Sequence, residues 1–244
     1  MKFYYLIAAY NEELVLEKTI RELEPLVQKY PGSEVFLLVN GSNDKTWDIA
    51  QKLAKDFHPW VSSFQNHEKG MGVAYKRGLQ ELKKRFLDKD SWVVFTASDL
   101  PFGFSDLDSF IKLGSQAWKE NVLFVGSKRH PLSEVQRNWK RRLGSAVFEM
   151  ARLLILKIKT KDTQGTLFLR GDQISVQERL HSNDYFITVE LVYFSERTGK
   201  VVEMPVQLRP EFRSSKISIL KDGYKSLLQL LRFRQRMKAP GNER

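Results

Sequence analysis

The sequence of 244 residues contains no cysteine, so neither a disulfide framework nor a thiolate metal site can form. No run of about 20 apolar residues exists, so no membrane-spanning helix is expected. There is no internal repeat and no low-complexity stretch. The apolar run at residues 3–9 is followed at once by Asn11, Glu12 and Glu13, which does not match a secretory signal. These absences favour a globular protein in a reducing, cytoplasmic setting.

Acidic residues are scarce relative to basic ones. The chain has 29 Asp and Glu against 40 Lys and Arg, which gives a net charge of +11. A surplus of this size implies an anionic partner, namely a nucleic acid, a membrane surface or a phosphorylated substrate. No nucleic-acid-binding motif is present, and the aromatic residues do not alternate with basic ones as on a base-stacking surface. We therefore expect no nucleic-acid partner.

The first hundred residues alternate between short apolar runs and amphipathic stretches. The apolar runs predict buried strands at residues 3–9, 35–39, 61–64 and 92–96. The amphipathic stretches predict helices at residues 13–30, 45–57 and 70–86. This alternation is typical of an α/β fold with a mainly parallel sheet covered by helices on both faces.

The second half is less regular. It predicts strands at residues 122–126, 167–170 and 200–206, and helices at residues 138–158, 185–198 and 218–237. The apolar part of the helix at 138–158 is flanked by lysines and arginines, so it could be a core helix or lie in a membrane interface. The basic, leucine-containing tail helix suits an anionic lipid surface, but it could equally pack on the domain or on a second subunit of a homo-oligomer. We expect one domain at residues 1–215 and a basic amphipathic segment at 216–244.

Polar clusters follow each of the first four predicted strands, at residues 10–12, 40–44, 68–72 and 97–99. In a parallel sheet, ligands bind beyond the carboxyl ends of the strands. The four clusters are therefore expected to converge on one site.

These clusters resemble the motifs of a known family. The segments IAAYNEE (7–13), LVNGSNDKT (38–46), NHEKGMG (66–72) and TASDL (96–100) resemble, in order, the I-P-A-Y-N-E-E, V-D-D-G-S-T-D-G-T, N-x-G-K-G-A-A and D-x-D segments of family 2 glycosyltransferases. Later segments at 126–129, 133–135, 162–164, 189–191 and 215–218 are similar to the branch that transfers hexoses to polyprenyl (dolichol) phosphates. The similarity covers nearly the whole chain.

The resemblance implies a GT-A fold that moves a hexose from a UDP- or GDP-linked sugar to a polyprenyl phosphate. The protein would be peripheral on the cytoplasmic face of the membrane. Contacts with the nucleotide-sugar would come from Ala9, Tyr10, Glu12, Asn40, Ser42, Lys69, Gly70, Ser98 and Asp99. Catalytic roles would fall to Asp99, Asp162 and Gln164. The acceptor phosphate would contact Lys128, Arg129, Arg137, Arg213, Ser215 and Lys216.

The chain departs from the family pattern where carboxylates are expected. The acidic pair after the second strand is replaced by Val39, which cannot hydrogen-bond a base, and Asn40, which offers a polar contact without charge. In the D-x-D segment the first aspartate is Ala97, which leaves Asp99. Pro101 stands where mannose-transferring relatives often have a metal-binding glutamine. The Mg²⁺ or Mn²⁺ implied by the family would therefore have a weak site at Asp99.

Three interpretations stay open at the level of sequence. The protein could be a hexosyltransferase of the kind described above. It could instead bind a nucleotide or a lipid phosphate without transferring a sugar. It could also be an enzyme with an altered donor or a metal-independent mechanism, in which basic side chains take over the charge of the cation.

Overall fold

The computed structural model describes residues 1–85, 87–135, 139–210 and 219–239. Within them the chain forms a seven-stranded sheet in the order β3-β2-β1-β4-β6-β5-β7. The strands are β1 (Lys2–Ala9), β2 (Glu34–Asn40), β3 (Val61–Asn66), β4 (Ser91–Ala97), β5 (Asn121–Ser127), β6 (Leu167–Arg170) and β7 (Lys200–Pro205). Neighbouring strands run parallel, except that β6 is antiparallel to both β4 and β5.

Helices cover both faces of this sheet. They are α1 (Leu16–Lys29), α2 (Thr46–Asp56), α3 (Met71–Leu82), α4 (Ser105–Glu120), α5 (Trp139–Leu156), α6 (Ile187–Thr198) and α7 (Ile219–Lys238). Side chains of α1, α2 and α4 bury one face of the central strands, and those of α3, α5, α6 and α7 bury the other. The two cores separate because successive strand side chains point to opposite faces.

The first helix illustrates how the sequence produces this arrangement. Leu16, Ile20, Leu23 and Val27 recur at the spacing of one helix face, and all four are buried against the sheet. The chain then turns at Gly32, whose φ of +83° is a left-handed conformation that glycine adopts without steric cost.

The α7 helix packs on the domain. Its inner side chains Leu230, Phe233 and Met237 are buried, and the Phe233 ring lies 4.8 Å from that of Tyr193 on α6. Its outer side chains Leu227 and Leu231 stay exposed. The predicted boundary between residues 215 and 216 lies outside the described residues.

The α5 helix is divided in the same way as α7, with which it makes many contacts. Arg152 and Leu156 are buried, whereas Val147, Met150 and Leu154 are 62%, 56% and 69% exposed. The helix therefore combines a core face with an exposed apolar face. Among the described residues, no helix is both long and apolar enough to cross a bilayer.

The predicted α/β architecture is confirmed, with strands and helices placed to within a few residues where the structure describes them. Two elements were missed, namely α4 and a 3₁₀ segment at Gly171–Arg179. The α4 helix is hard to read from sequence because Gly114, at φ 76° and ψ 175°, interrupts its helical geometry. Its buried apolar residues, Leu107 and Phe110, therefore do not continue into a longer stripe.

Candidate functional site

The carboxyl ends of β1 to β4 lie together, and hydrogen bonds connect the loops that follow β1 and β2. The Asn11 amide donates to Ser42 Oγ (3.1 Å), and the Asn43 amide donates to Asn11 Oδ1 (3.0 Å). The Glu12 amide donates to Thr46 Oγ1 at the start of α2 (2.8 Å). Asn11 has a φ of 54°, an uncommon conformation for a non-glycine residue that the two loops hold in place. These bonds form the rigid edge that we call the carboxyl edge.

Tyr10 and Lys69 meet at this edge. The Lys69 Nζ lies 3.9 Å from the centre of the Tyr10 ring, so the ammonium sits over the aromatic face. The backbone of Lys69 approaches Gly41 so closely that a Cβ at Gly41 would lie 2.9 Å from the Lys69 nitrogen. The loops after β1, β2 and β3 are therefore in contact, as expected from the sequence.

Two side-chain amides, the buried Asn40 and the half-buried Asn66, lie beside them at the ends of β2 and β3. Asn40 and Asn66 are register partners in the parallel pair, so their side chains leave the same face of the sheet. Asn40 is 3% exposed, and its Oδ1 has no hydrogen-bond partner among the described residues. Asn66 Nδ2 is also buried and unpartnered within that part of the chain. One free acceptor and one free donor thus stand side by side, and such atoms are costly to leave unpaired.

Asp99 follows β4 in a tight turn. The Leu100 amide donates to the Ala97 carbonyl (3.2 Å), and Leu100 takes a φ of 44° although it is buried. Ser98 is buried, and its carbonyl accepts a hydrogen bond from the Thr19 hydroxyl on α1. Asp99 itself is exposed. The turn therefore presents the Asp99 carboxylate at the carboxyl edge, next to the loop after β1.

Gly70, which directly precedes α3, was expected to contact the nucleotide-sugar, but in the structure another segment of the protein occupies the amino end of α3. The amides of Gly72 and Val73 both donate to the carbonyl of Asn183, at 3.0 and 3.2 Å. A Cβ at Gly70 or Gly72 would collide with the backbone carbonyls of Asn183 or Ser182. These glycines allow the segment 181–184, which we call the capping loop, to approach the helix. Lys69 remains at the edge through its contact with Tyr10.

Asp162 and Gln164 lie beside the end of β5. Asp162 is buried and accepts hydrogen bonds from the amides of Lys128 and Gln164, both at 2.9 Å. The Lys128 Nζ lies 3.5 Å from the same carboxylate and donates to the Gln164 carbonyl (2.9 Å). Asp162 and Lys128 therefore hold each other and the 162–164 turn, whereas Gln164 is exposed.

The predicted acceptor-binding residues are described only in part. Arg129 forms an ion pair with Glu149 on α5 (2.8 Å), so its guanidinium is already engaged. Arg137, Arg213, Ser215 and Lys216 lie outside the described residues.

The carboxyl edge offers little for a divalent cation. Asp99 is the D-x-D carboxylate that remains, because residue 97 is alanine. Among the described residues, no group of three or more His, Asp or Glu side chains could hold a metal. Mg²⁺ is commonly bound by one or two carboxylates together with substrate phosphates and water. Asp99 fits that pattern only when a diphosphate supplies other oxygens.

Comparison with known proteins agrees with this geometry. The family model described as Glycosyl transferase family 2 matches residues 5–174, more than half of the chain. The chain belongs to glycosyltransferase family 2. No protein of curated function matches this family 2 sequence.

Solved structures of glucosyl-3-phosphoglycerate synthase from Mycobacterium tuberculosis share its fold. The complex with UDP has a TM-score of 0.64 at 18% identity, covering 98% of this chain and 82% of that chain. The complex with Mn²⁺, UDP-glucose and phosphoglyceric acid has a TM-score of 0.65 at 18% identity, covering 98% and 81%. A further mycobacterial protein has a TM-score of 0.66 at 19% identity, covering 98% and 76%. These likenesses confirm the GT-A fold and leave the polyprenyl-phosphate branch a prediction.

Two features of the site were not anticipated from the sequence. Asn66 was quoted only as part of a motif, and its pairing with Asn40 depends on the register of β2 and β3. The capping loop comes from a segment more than 100 residues away from Gly72 in sequence. The paired glycines at 70 and 72 were the available signal, because they permit close approach of another backbone.

Proposed function

We propose that this family 2 protein transfers a hexose from a nucleotide-sugar to a polyprenyl phosphate at an anionic membrane surface. Family membership and the carboxyl edge support the donor half of the proposal. Asn40 Oδ1 and Asn66 Nδ2 offer an acceptor and a donor to the polar edge of a base, and the Tyr10 ring offers a stacking surface. Among these observations, the two buried and unpartnered atoms, Asn40 Oδ1 and Asn66 Nδ2, carry the most weight.

The outer faces of α5 and α7 support the lipid half. Val147, Met150 and Leu154 recur at helical spacing and are exposed, as are Leu227 and Leu231 on the neighbouring helix. Basic residues accompany them, including the exposed Lys157, Arg232 and Arg234. An apolar surface flanked by cations is the pattern of an interfacial helix on anionic lipid.

The proposed chemistry needs few protein groups. An oxygen of the acceptor phosphate attacks the anomeric carbon, the bond from that carbon to the donor's β-phosphate oxygen breaks, and the nucleoside diphosphate leaves. The attacking oxygen is already anionic, so a strong general base is not required. A bound divalent cation would neutralise charge on the leaving diphosphate, and Asp99 would hold it together with diphosphate oxygens.

A small phosphorylated acceptor is the second candidate. It is favoured by the fold likeness to the glucosyl-3-phosphoglycerate synthase solved with UDP-glucose and phosphoglyceric acid. Its reaction would use the same carboxyl edge and would not need the apolar faces of α5 and α7.

The experiment that tests both candidates is a transfer assay on the full chain. Labelled UDP-glucose, UDP-galactose, GDP-mannose and GDP-glucose are each incubated with undecaprenyl phosphate in detergent or with 3-phosphoglycerate, with Mg²⁺, Mn²⁺ or EDTA. Label in the organic phase supports the polyprenyl acceptor, and label in a new water-soluble product supports the small one. Asp99→Asn is expected to remove the response to the cation, whereas Asp48→Asn, an exposed acid on α2, is the matched control.

Absence of product with every donor would overturn the transferase proposal. Calorimetry with UDP and GDP then distinguishes the remaining interpretations. Nucleotide binding that does not respond to Mg²⁺, without turnover, would indicate a binding protein built on the transferase fold.

A further inference from the structure

The buried carboxylate of Glu190 on α6 joins α7 to the capping loop. Glu190 is fully buried and accepts hydrogen bonds from the amides of His181 (2.8 Å) and Ser182 (3.0 Å) and from the Ser182 hydroxyl (2.9 Å). The guanidinium of Arg236, on α7, forms an ion pair with the same carboxylate. Arg236 of α7 therefore balances the charge of Glu190, and the remaining lone pairs of the Glu190 carboxylate bind the capping loop.

A second set of bonds joins the same two elements. The Asp184 carboxylate accepts a hydrogen bond from the side-chain amide of Gln229 (2.8 Å) and forms an ion pair with Lys225 Nζ (2.9 Å). Both Gln229 and Lys225 belong to α7. The Tyr185 and Ser226 hydroxyls share a hydrogen bond of 2.7 Å. Two successive turns of α7 thus hold Asp184 of the capping loop and Tyr185, the residue that follows it.

The other side of the capping loop holds the segment that carries Lys69. The Asn183 carbonyl accepts the amides of Gly72 and Val73, and Asn183 Nδ2 donates to Glu68 Oε1 (2.8 Å). Lys69 lies between these attachment points, with its ammonium over Tyr10. A series of polar contacts therefore runs from Arg236 through Glu190 and the capping loop to residues 68–73, where Lys69 contacts the Tyr10 ring at the carboxyl edge.

We propose that α7 is a positioning element of the nucleotide site, and that Arg236 and Glu190 are its positioning residues. This inference rests on the proposed nucleotide site at Tyr10, Asn40 and Asn66. Neither Arg236 nor Glu190 touches the substrate. They fix the capping loop, and the capping loop fixes residues 68–73 against the loop after β1.

The physical reason is the burial of Glu190. Removing Arg236 leaves a buried carboxylate without its countercharge, which is strongly unfavourable. The structure relieves that cost by admitting water or by moving Glu190 and the amides that it binds. Either response loosens the capping loop and releases the Gly72 and Val73 amides from the Asn183 carbonyl.

The test compares Arg236→Ala, Arg236→Lys and Lys238→Ala in the full chain. Lys238 is exposed on the same helix, so its removal changes the net charge equally without touching Glu190. Hydrogen exchange of the Gly72 and Val73 amides is measured first, without ligand. Dissociation constants for UDP and GDP follow, and then KM for the donor and kcat. Removing Arg236 disturbs its ion pair with the buried Glu190. Gln229→Ala is therefore included as a milder variant, which removes the hydrogen bond from Gln229 to Asp184.

We expect faster exchange at the Gly72 and Val73 amides in Arg236→Ala. Nucleotide affinity should fall, and the KM for the donor should rise, by roughly five- to tenfold. The kcat should change by less than about twofold, because no reacting group is removed. Arg236→Lys should recover part of the affinity, Gln229→Ala should show a smaller effect in the same direction, and Lys238→Ala should match the wild type.

Two results would overturn the proposal. One is unchanged exchange at Gly72 and Val73 in both Arg236→Ala and Gln229→Ala. The other is faster exchange with nucleotide affinity equal to that of the wild type. If the wild-type chain binds neither UDP nor GDP, the proposed function fails and α7 has no nucleotide site to position, whereas the exchange data still report whether α7 holds residues 68–73.

Discussion

Asn40 and Asn66 place a carbonyl oxygen and an amide nitrogen, both unpartnered among the described residues, on adjacent strands of the carboxyl edge. Leaving a buried polar atom unpaired costs about 1–3 kcal/mol. A ligand that supplies the missing partners recovers this cost. In the proposed nucleotide site, these two neutral amides would therefore recognise the base where the family pattern has an acidic pair.

We expect Asn40→Ala and Asn66→Ala each to weaken UDP or GDP binding by roughly tenfold, since each removes one hydrogen bond to the base. Isothermal titration at several pH values is the measurement. Asn43→Ala is the control, because Asn43 is exposed and joins the loop through its backbone amide. Equal affinity in all three variants would mean that the base lies elsewhere.

A second prediction concerns Asp106, which is buried near the start of α4. Burial raises the pKa of this carboxyl from 3.8 to about 6, and the hydrogen bond from the Leu107 amide only partly offsets that rise. A raised pKa means that the folded state keeps the proton while the unfolded chain loses it. The stability contributed by Asp106 is thus complete below about pH 4 and is lost as the pH rises through 6.

Asp106→Asn should therefore gain stability relative to the wild type as the pH rises from 4 to 6. The difference in the free energy of unfolding should reach roughly 2–3 kcal/mol above that range. Urea denaturation at a series of pH values measures it, with Asp108→Asn, an exposed acid two residues away, as the control. A constant difference across the range would show that Asp106 does not titrate in it.

At the scale of elements, the amino end of α3 depends on close backbone contact with the capping loop. Gly72→Ala would place a Cβ against the Ser182 carbonyl, and backbone cannot move as easily as the end of a side chain. We expect a loss of roughly 1–3 kcal/mol in the free energy of unfolding, together with weaker nucleotide binding. Gly78→Ala on the same helix meets only the side-chain ends of Leu38 and Leu6, so a smaller loss is expected there. Thermal or urea unfolding of the two variants tests this order.

An element could be predicted from the sequence when local residue patterns determine it, and could not when tertiary contacts do. The strand β2 could be predicted because its apolar run and the turn residues after it are local signals. The antiparallel direction of β6 could not be predicted, because a short buried strand has the same apolar pattern beside parallel and antiparallel neighbours. For the site, the convergence of the loops after β1, β2 and β3 followed from the predicted parallel direction of these strands. The unpartnered state of Asn40 and the arrival of Asn183 at α3 depend on tertiary contacts that no local pattern contains.

At the scale of the whole molecule, the net charge of +11 and the exposed apolar faces of α5 and α7 lead to one expectation. The protein should float with vesicles that contain anionic lipid and not with neutral ones. Binding should weaken at high salt, because exposed charges are screened. Leu154→Glu and Leu231→Glu should each reduce flotation severalfold by placing a carboxylate at the lipid surface.

The matched control for these two variants is Leu113→Glu. Leu113 is 41% exposed, comparable with Leu231, but it belongs to α4 on the opposite face of the sheet. If all three variants bind as the wild type does, the apolar faces of α5 and α7 do not contact lipid.

The antiparallel β6 has a consequence for how this protein could diversify. Because β5 ends and β6 begins at the same edge, residues 128–166 leave the sheet and return to it at neighbouring points, with Gly126 bonded to Thr166 and Lys128 to Asp162. The whole of α5 lies within this excursion. Evolution can lengthen, shorten or replace such an excursion without disturbing strand order or the loops after β1, β2 and β3. The excursion can therefore change while the carboxyl edge, which is the site that we propose for the nucleotide-sugar, keeps its framework.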